Sequence, residues 1–133
     1  MSRTHSARQH LRFWVPKATV SFSLRRFLDG KIDMTCPVLD LSKGGMAFAS
    51  QSRIKPGKEL LIFLACPDLD PPIEVRGQVI YCLPHPGMEH RYHIGFAFAP
   101  FVGMGSNSRD AWEALMELER LYGTDIPASP SLV

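Results

Sequence analysis

Two short runs in this sequence combine charge, hydrogen-bonding capacity and backbone freedom in a way suited to binding chemistry. Arg8-Gln9-His10-Leu11-Arg12 sets two guanidinium groups four residues apart, on one side of the chain whether it is a helical turn or extended. Each planar fork matches phosphate oxygens bidentately, and it matches the O6 and N7 edge of guanine equally well. The second run is Asp40-Leu41-Ser42-Lys43-Gly44-Gly45. Asp40 can accept from the donors of a guanine Watson–Crick edge, the Ser42 hydroxyl can serve either partner, and Gly45 permits close approach of the backbone to a ligand. Each run also has a plainer reading: a solvated basic N-terminus, and a strand-to-strand turn in which Asp40 and Ser42 satisfy local amides.

Constellations for catalysis do not assemble from the other residues. Of the five histidines, only His90 and His93 lie close in sequence, and three residues apart on a strand they point to opposite faces, so a metal finds no converging ligands. No GxSxG, GxxxxGK[ST] or HExxH occurs, and Ser42 sits in a glycine turn without a neighbouring histidine. The three cysteines, Cys36, Cys66 and Cys82, show no CxxC spacing and leave one thiol over in any pairing, which fits reduced thiols on strands. The expectation is a protein that is not an enzyme, with no metal and no cofactor.

Charge is distributed unevenly although its total is only +2. Arg3, Arg8, Arg12, Lys17, Arg25 and Arg26 precede Asp29 with no acidic residue among them, whereas Asp110, Glu113, Glu117, Glu119 and Asp125 outnumber Arg109 and Arg120 after Pro100. A basic head on a near-neutral domain suits an anionic partner held at one place, and a nucleic acid polymer tracked along a face would call for a larger surplus.

The elements that must position these residues follow from periodicity. A chain of 133 residues with 45% apolar and 21% charged content fits one globular domain that folds without disulfide or metal. It holds no apolar run of the roughly 18 residues a membrane span needs, and no signal peptide, so a soluble, cytoplasmic protein with no membrane insertion is expected. Period-two alternation runs through Ala18, Val20, Phe22 and Leu24, through Ile73, Val75, Gly77, Val79 and Tyr81, and through Tyr92, Ile94, Phe96 and Phe98. These are half-buried strands. Strands are expected near 14–27, 31–41, 45–50, 58–66, 73–83 and 90–99. Turns fall at Asp29-Gly30, Lys43-Gly44-Gly45, Lys55-Pro56-Gly57, Asp70-Pro71-Pro72 and Pro84 to Gly87. Trp112, Leu115, Met116, Leu118, Leu121 and Tyr122 recur at helical spacing, with Asn107 or Ser108 as N-cap and Gly123 as the stop. That helix would cap an end or face of the sheet, and would cover the strand 58–66, which is apolar on both sides. The strands suit an antiparallel barrel or sandwich.

Taken together, RxxxR followed after one hairpin by DxSxxG resembles the signature of the PilZ domain family, bacterial receptors for cyclic di-GMP. The strand IEVRGQVIYC is similar to the family's "v.G.V.w" strand, HIGFAFAPF to its closing "GI.F" strand, and the last helix is similar too. The resemblance implies an all-β fold, a six-stranded antiparallel β-barrel with a C-terminal α-helix. It spans residues 8–122, between a flexible N-terminus at 1–7 and a flexible tail at 123–133. It also implies that Arg8 and Arg12 hold the phosphates and guanine edges of cyclic di-GMP, that Asp40 and Ser42 contact a guanine, and that Gly45 lets the turn lie against it. Where many members have a tryptophan this chain has Tyr81, which the resemblance would stack on a base, whereas a tyrosine in an alternating row is more often a core residue with its hydroxyl at the rim. Ala7 stands where members that bind an intercalated ligand dimer have arginine, which implies one ligand per domain.

In such a sensor the basic N-terminus would fold over the dinucleotide, and the altered surface would be read by an effector protein on another polypeptide. Two readings of other classes stand beside it. One is a PilZ-like adaptor that acts by protein–protein interaction without nucleotide. The other is a small nucleic-acid-binding barrel, which the clustering of basic residues at one end disfavours.

Overall fold

The computed structural model describes residues 12–24, 34–87, 91–101 and 107–123. Arg8, the Asp29-Gly30 turn, His90 and the expected flexible termini at 1–7 and beyond Gly123 lie outside the described residues. Six strands and one helix follow in chain order: β1 Thr19–Phe22, β2 Met34–Leu41, β3 Gly45–Ser50, β4 Glu59–Cys66, β5 Leu69–Pro84, β6 Tyr92–Phe98 and α1 Arg109–Tyr122. All pairings are antiparallel, and the sheet closes on itself in the order β1-β2-β3-β6-β5-β4. Closure gives every strand a neighbour on each side and leaves no edge strand.

Period-two alternation built this barrel. Val20, Phe22, Val38, Phe48, Ile62, Leu64, Val75, Val79, Ile94 and Phe96 point inward and are buried. Phe48 is the hub of the core, its ring 5.5 Å from that of Phe22 and 6.4 Å from that of Phe96, within the range of direct aromatic contact. Cys36 and Cys66 are buried in this interior as free thiols, and Cys82 is half-buried.

Several sequence expectations are corrected. The first strand was expected over 14–27, but β1 begins at Thr19 because Pro16-Lys17 makes a tight turn, with Lys17 at φ 62° and the Ala18 N–H donating to the Val15 carbonyl at 3.3 Å. Proline fixes φ and has no N–H for a ladder, which breaks the strand there. Asp70-Pro71-Pro72 was expected as a turn, yet it lies inside β5; Cys66 pairs Leu69, so the reversal is at Pro67-Asp68, and the prolines occupy an irregular stretch between the Leu64–Ile73 and Cys66–Leu69 pairs. A bulge tolerates the missing donors. Finally, α1 does not cover β4: Leu60, Ile62, Leu64 and Cys66 face the core while Leu61 on the other side stays 39% exposed.

Helix α1 instead closes the barrel through Ala111, Leu115 and Leu118, which are buried in the same core, with Tyr122 packed beside them. Met116 and Leu121, expected in the apolar stripe, are exposed. The N-cap is Ser108, whose hydroxyl accepts from the Ala111 N–H, and Gly123 ends the helix by donating to the Glu119 carbonyl. Asn107 does something else. Its side chain accepts from the Arg76 N–H at 2.6 Å and donates to the Arg76 and Ala99 carbonyls at 3.0 Å each, so it stands in for a ladder residue between β5 and the end of β6 and pins the start of α1 to the barrel. Among the described residues no helix is long and apolar enough to cross a membrane.

Candidate functional site

The segment before β1 is tied to β2 at one point. The Phe13 N–H donates to the Leu41 carbonyl, and the Leu41 N–H donates back to Phe13, both at 2.8 Å. Phe13 and Val15 are buried while Arg12 and Trp14 are exposed, so the alternation of a strand persists here. The bridge brings Arg12 against the outer end of β2. Its Nη1 donates to Asp40 Oδ1 at 2.6 Å. The last arginine of RxxxR and the aspartate of DxSxxG, far apart in sequence, therefore form one charged pair at the surface.

Ser42 is 6% exposed, and its hydroxyl works within the turn between β2 and β3. It accepts from the Gly44 N–H at 3.2 Å and donates to the Gly45 carbonyl at 3.3 Å, while the Ser42 N–H donates to the same carbonyl at 2.8 Å. This is the local capping read from the sequence as the plainer alternative for a turn serine. Asp40 is different, since the hydrogen bond it accepts comes from Arg12 across the site. Gly45 pairs with Ala97 of β6, and a Cβ at Gly45 would run into the Phe96 carbonyl oxygen. Its bare backbone thus serves the approach of β3 to β6. Lys43, in the same turn, reaches α1: its Nζ lies 3.3 Å from Glu119 Oε1 and 5.5 Å from the centre of the Trp112 ring.

Tyr81 joins this site because β5 bulges. Val79 pairs Phe96, but Tyr81 pairs Gly95, and the register shifts between them. One extra residue flips the alternation, so Cys82 takes the inward place next to the core and Tyr81 leaves the row that the sequence put it in. Its ring lies over Gly95, where a Cβ would strike it. Arg12, Ser42, Gly45, Tyr81, Gly95 and Phe96 line one recess of about 260 Å³. The structure therefore brings together Arg12, Asp40, Ser42, Gly45 and Tyr81, and Arg8 lies outside the described residues. Larger hollows of about 650 and 730 Å³ lie over β4–β6 and between β5 and α1. They contain none of these motif residues.

Sequence reasoning did not assign Gly44, Met46, Ile80, Gly95, Phe96 or Ala97 to the site, although they also line the recess. Gly95 had a detectable sign, a glycine inside a strongly alternating strand, which often marks a close approach. Ile80 is exposed and lines the recess; its place next to the inward Val79 already puts it on the outer face, and the bulge brings Tyr81 beside it. No cluster of His, Cys, Asp and Glu suited to a metal ion exists among the described residues.

The sequence matches the family model of the PilZ domain over residues 6–109, and the chain belongs to that family. Similar solved structures agree in fold. They include the Bacillus subtilis inhibitor of motility, MotI/DgrA, at TM-score 0.62 and 15% identity, covering 91% of this chain and 52% of that one. The PilZ domain with c-di-GMP of YcgR from Escherichia coli is similar at TM-score 0.59 and 17% identity, covering 85% and 92%. The K. pneumonia MrkH–c-di-GMP complex is similar at TM-score 0.63 and 17% identity, covering 91% and 53%. The chain thus spans about half the length of the first and third. No curated protein matched the sequence.

Proposed function

We propose that this domain is a bacterial, cytoplasmic receptor for cyclic di-GMP that carries no catalytic activity and signals to an effector protein. The observation that carries the reading is the meeting of Arg12 and Asp40 beside Ser42, Gly45 and Tyr81 at a single recess. The family membership and two similar structures described with c-di-GMP support the ligand.

The roles divide by chemistry. Arg12, with Arg8 from the same run, presents its fork to a phosphate or to the O6 and N7 edge of a guanine. Asp40 holds that fork in place before binding and accepts from a guanine edge afterwards. Ser42 keeps the turn folded with part of its hydroxyl's capacity and has a lone pair left for the ligand. Gly45 keeps the turn close to β6, and the Tyr81 ring offers a face for a base. Binding favours whichever arrangement of the basic N-terminus closes over the ligand, and the effector reads that arrangement.

Isothermal titration with cyclic di-GMP tests the reading, with GTP and cyclic di-AMP as controls. Selective binding in the micromolar range or tighter, at one ligand per domain given Ala7, supports it. Absence of heat and of a melting shift at high ligand overturns it in favour of an adaptor that works without nucleotide.

A further inference from the structure

We propose that His93 and His85 continue the base-stacking surface begun by Tyr81, so that the site extends along the outer face of the β5–β6 hairpin and takes a second purine ring. This rests on the receptor reading above, and it adds two residues that neither motif contains.

The placement follows from register. Tyr81 pairs Gly95 and Leu83 pairs His93, and cross-strand partners share a face. Tyr81, Leu83 and His93 therefore stand on one side of the hairpin, beyond the bulge that turns Tyr81 outward. The Tyr81 and His93 ring centres are 5.8 Å apart at 37°, and those of His93 and His85 are 6.0 Å apart at 31°. Both steps fall within direct ring contact. The three rings, each tilted against the next, follow one another from the recess with Arg12 to His85, and we take this row as the shelf.

The far end of the shelf is held in place. The His85 N–H donates to the Arg91 carbonyl at 2.8 Å, closing the hairpin, and its Nδ1 lies 3.1 Å from the Pro86 carbonyl. All three rings are half-buried, so each keeps part of its surface for a partner. Planar rings stack with any base, and imidazole nitrogens add hydrogen bonds at the rim. A ligand with two purines joined through phosphates fits this arrangement, with its anionic part at Arg12 and its two bases on Tyr81 and on the His93 side of the shelf.

The test is titration of cyclic di-GMP into the wild-type domain, His93→Ala, His93→Phe, His85→Ala and Arg12→Ala, with melting curves for each. The expected result is that His93→Ala weakens binding roughly tenfold, as loss of one stacked base does, while His93→Phe keeps most of the affinity and all variants melt like wild type. If His93→Ala and His85→Ala bind as wild type while Arg12→Ala does not bind, the shelf is overturned and the receptor reading stands. If wild type itself fails to bind, the receptor reading falls first and the shelf falls with it.

Discussion

Arg12 Nη1 and Asp40 Oδ1 are 2.6 Å apart with side chains 60% and 32% exposed, so the last arginine of RxxxR and the aspartate of DxSxxG form one ion pair. At such exposure the pair adds little to folding, at most about 1 kcal/mol. Its value is positional: it holds a guanidinium fork at the mouth of the recess that also contains Tyr81 and Ser42. If the proposed receptor function holds, binding requires a shift of partners between Arg12, Asp40 and the ligand.

Arg12→Ala is therefore expected to separate binding from stability. Loss of a bidentate, charge-assisted contact should cost about 2 kcal/mol or more of binding free energy, read by titration with cyclic di-GMP. The melting temperature should stay close to wild type, because the lost ion pair is exposed. Arg12→Lys should recover only part of the affinity, since an ammonium lacks the planar fork. A folded Arg12→Ala domain with unchanged affinity would remove Arg12 from the site.

Gly45→Val acts on the barrel first. The new Cβ meets the Phe96 carbonyl oxygen, a backbone atom of β6 that no rotamer change can move away. Parting β3 from β6 at that point would also disturb the neighbouring Phe98–Gly44 hydrogen bond at 3.0 Å. Overpacking of this kind costs about 1–3 kcal/mol. Chemical denaturation should show the loss without ligand present, and any drop in ligand affinity has to be read against it.

The legibility of this molecule varied with the range of the interaction. Rows such as Ala18-Val20-Phe22 and Ile94-Phe96 gave the strands because burial imposes period two on the residues themselves. That Arg12 and Asp40 belong to one site came only through a family pattern, and their ion pair was not foreseen, since no local rule links positions so far apart in the chain. Tyr81 shows the limit. Its alternating position pointed to the core, and only the bulge between Val79 and Tyr81, a property of how β5 meets β6, turned it to the outer face. Likewise, Asn107 read as a helix cap because its type favours caps, while its bonds to Arg76 and Ala99 depend on where the end of β6 lies.

Asn107→Ala should be among the most damaging single changes away from the site. The side chain is buried and makes three hydrogen bonds to backbone groups of Arg76 and Ala99. Removing it leaves several of those groups unsatisfied, at about 1–3 kcal/mol for the desolvated ones. Urea unfolding should shift accordingly. A change of under about 0.5 kcal/mol, the usual range for surface sites, would mean that water replaces the amide and that α1 is anchored elsewhere.

Tyr122 gives α1 a pH-dependent tether. Its hydroxyl donates to Asp68 Oδ2 at 2.5 Å in the β4–β5 turn, and this bond to a carboxylate raises the tyrosine pKa above its ordinary value of 10.0. A group whose pKa is raised on folding stabilises the fold fully below its unfolded pKa and loses that contribution as pH rises through the raised value. Tyr122→Phe should therefore lower the melting temperature at pH 8 relative to wild type, with the gap closing above pH about 10. An equal gap at both pH values would show that the hydroxyl does not act through Asp68.

Trp14 offers a direct view of the proposed closure. It is 62% exposed and separated from Arg12 only by the buried Phe13, so both side chains stand on the solvent side of the same short segment. The other of the chain's two tryptophans, Trp112, packs against Phe101 at 5.2 Å between ring centres; Trp112→Phe leaves Trp14 as the sole reporter. If ligand binding orders the chain around Arg12, the Trp14 environment becomes less aqueous and its emission should shift to shorter wavelength, with the same Kd as calorimetry gives. Heat of binding without any change in Trp14 emission would place the ligand's effect beyond this segment, and the surface read by a partner would then have to be sought around the β2–β3 turn, where Lys43 already touches Glu119 and Trp112 of α1.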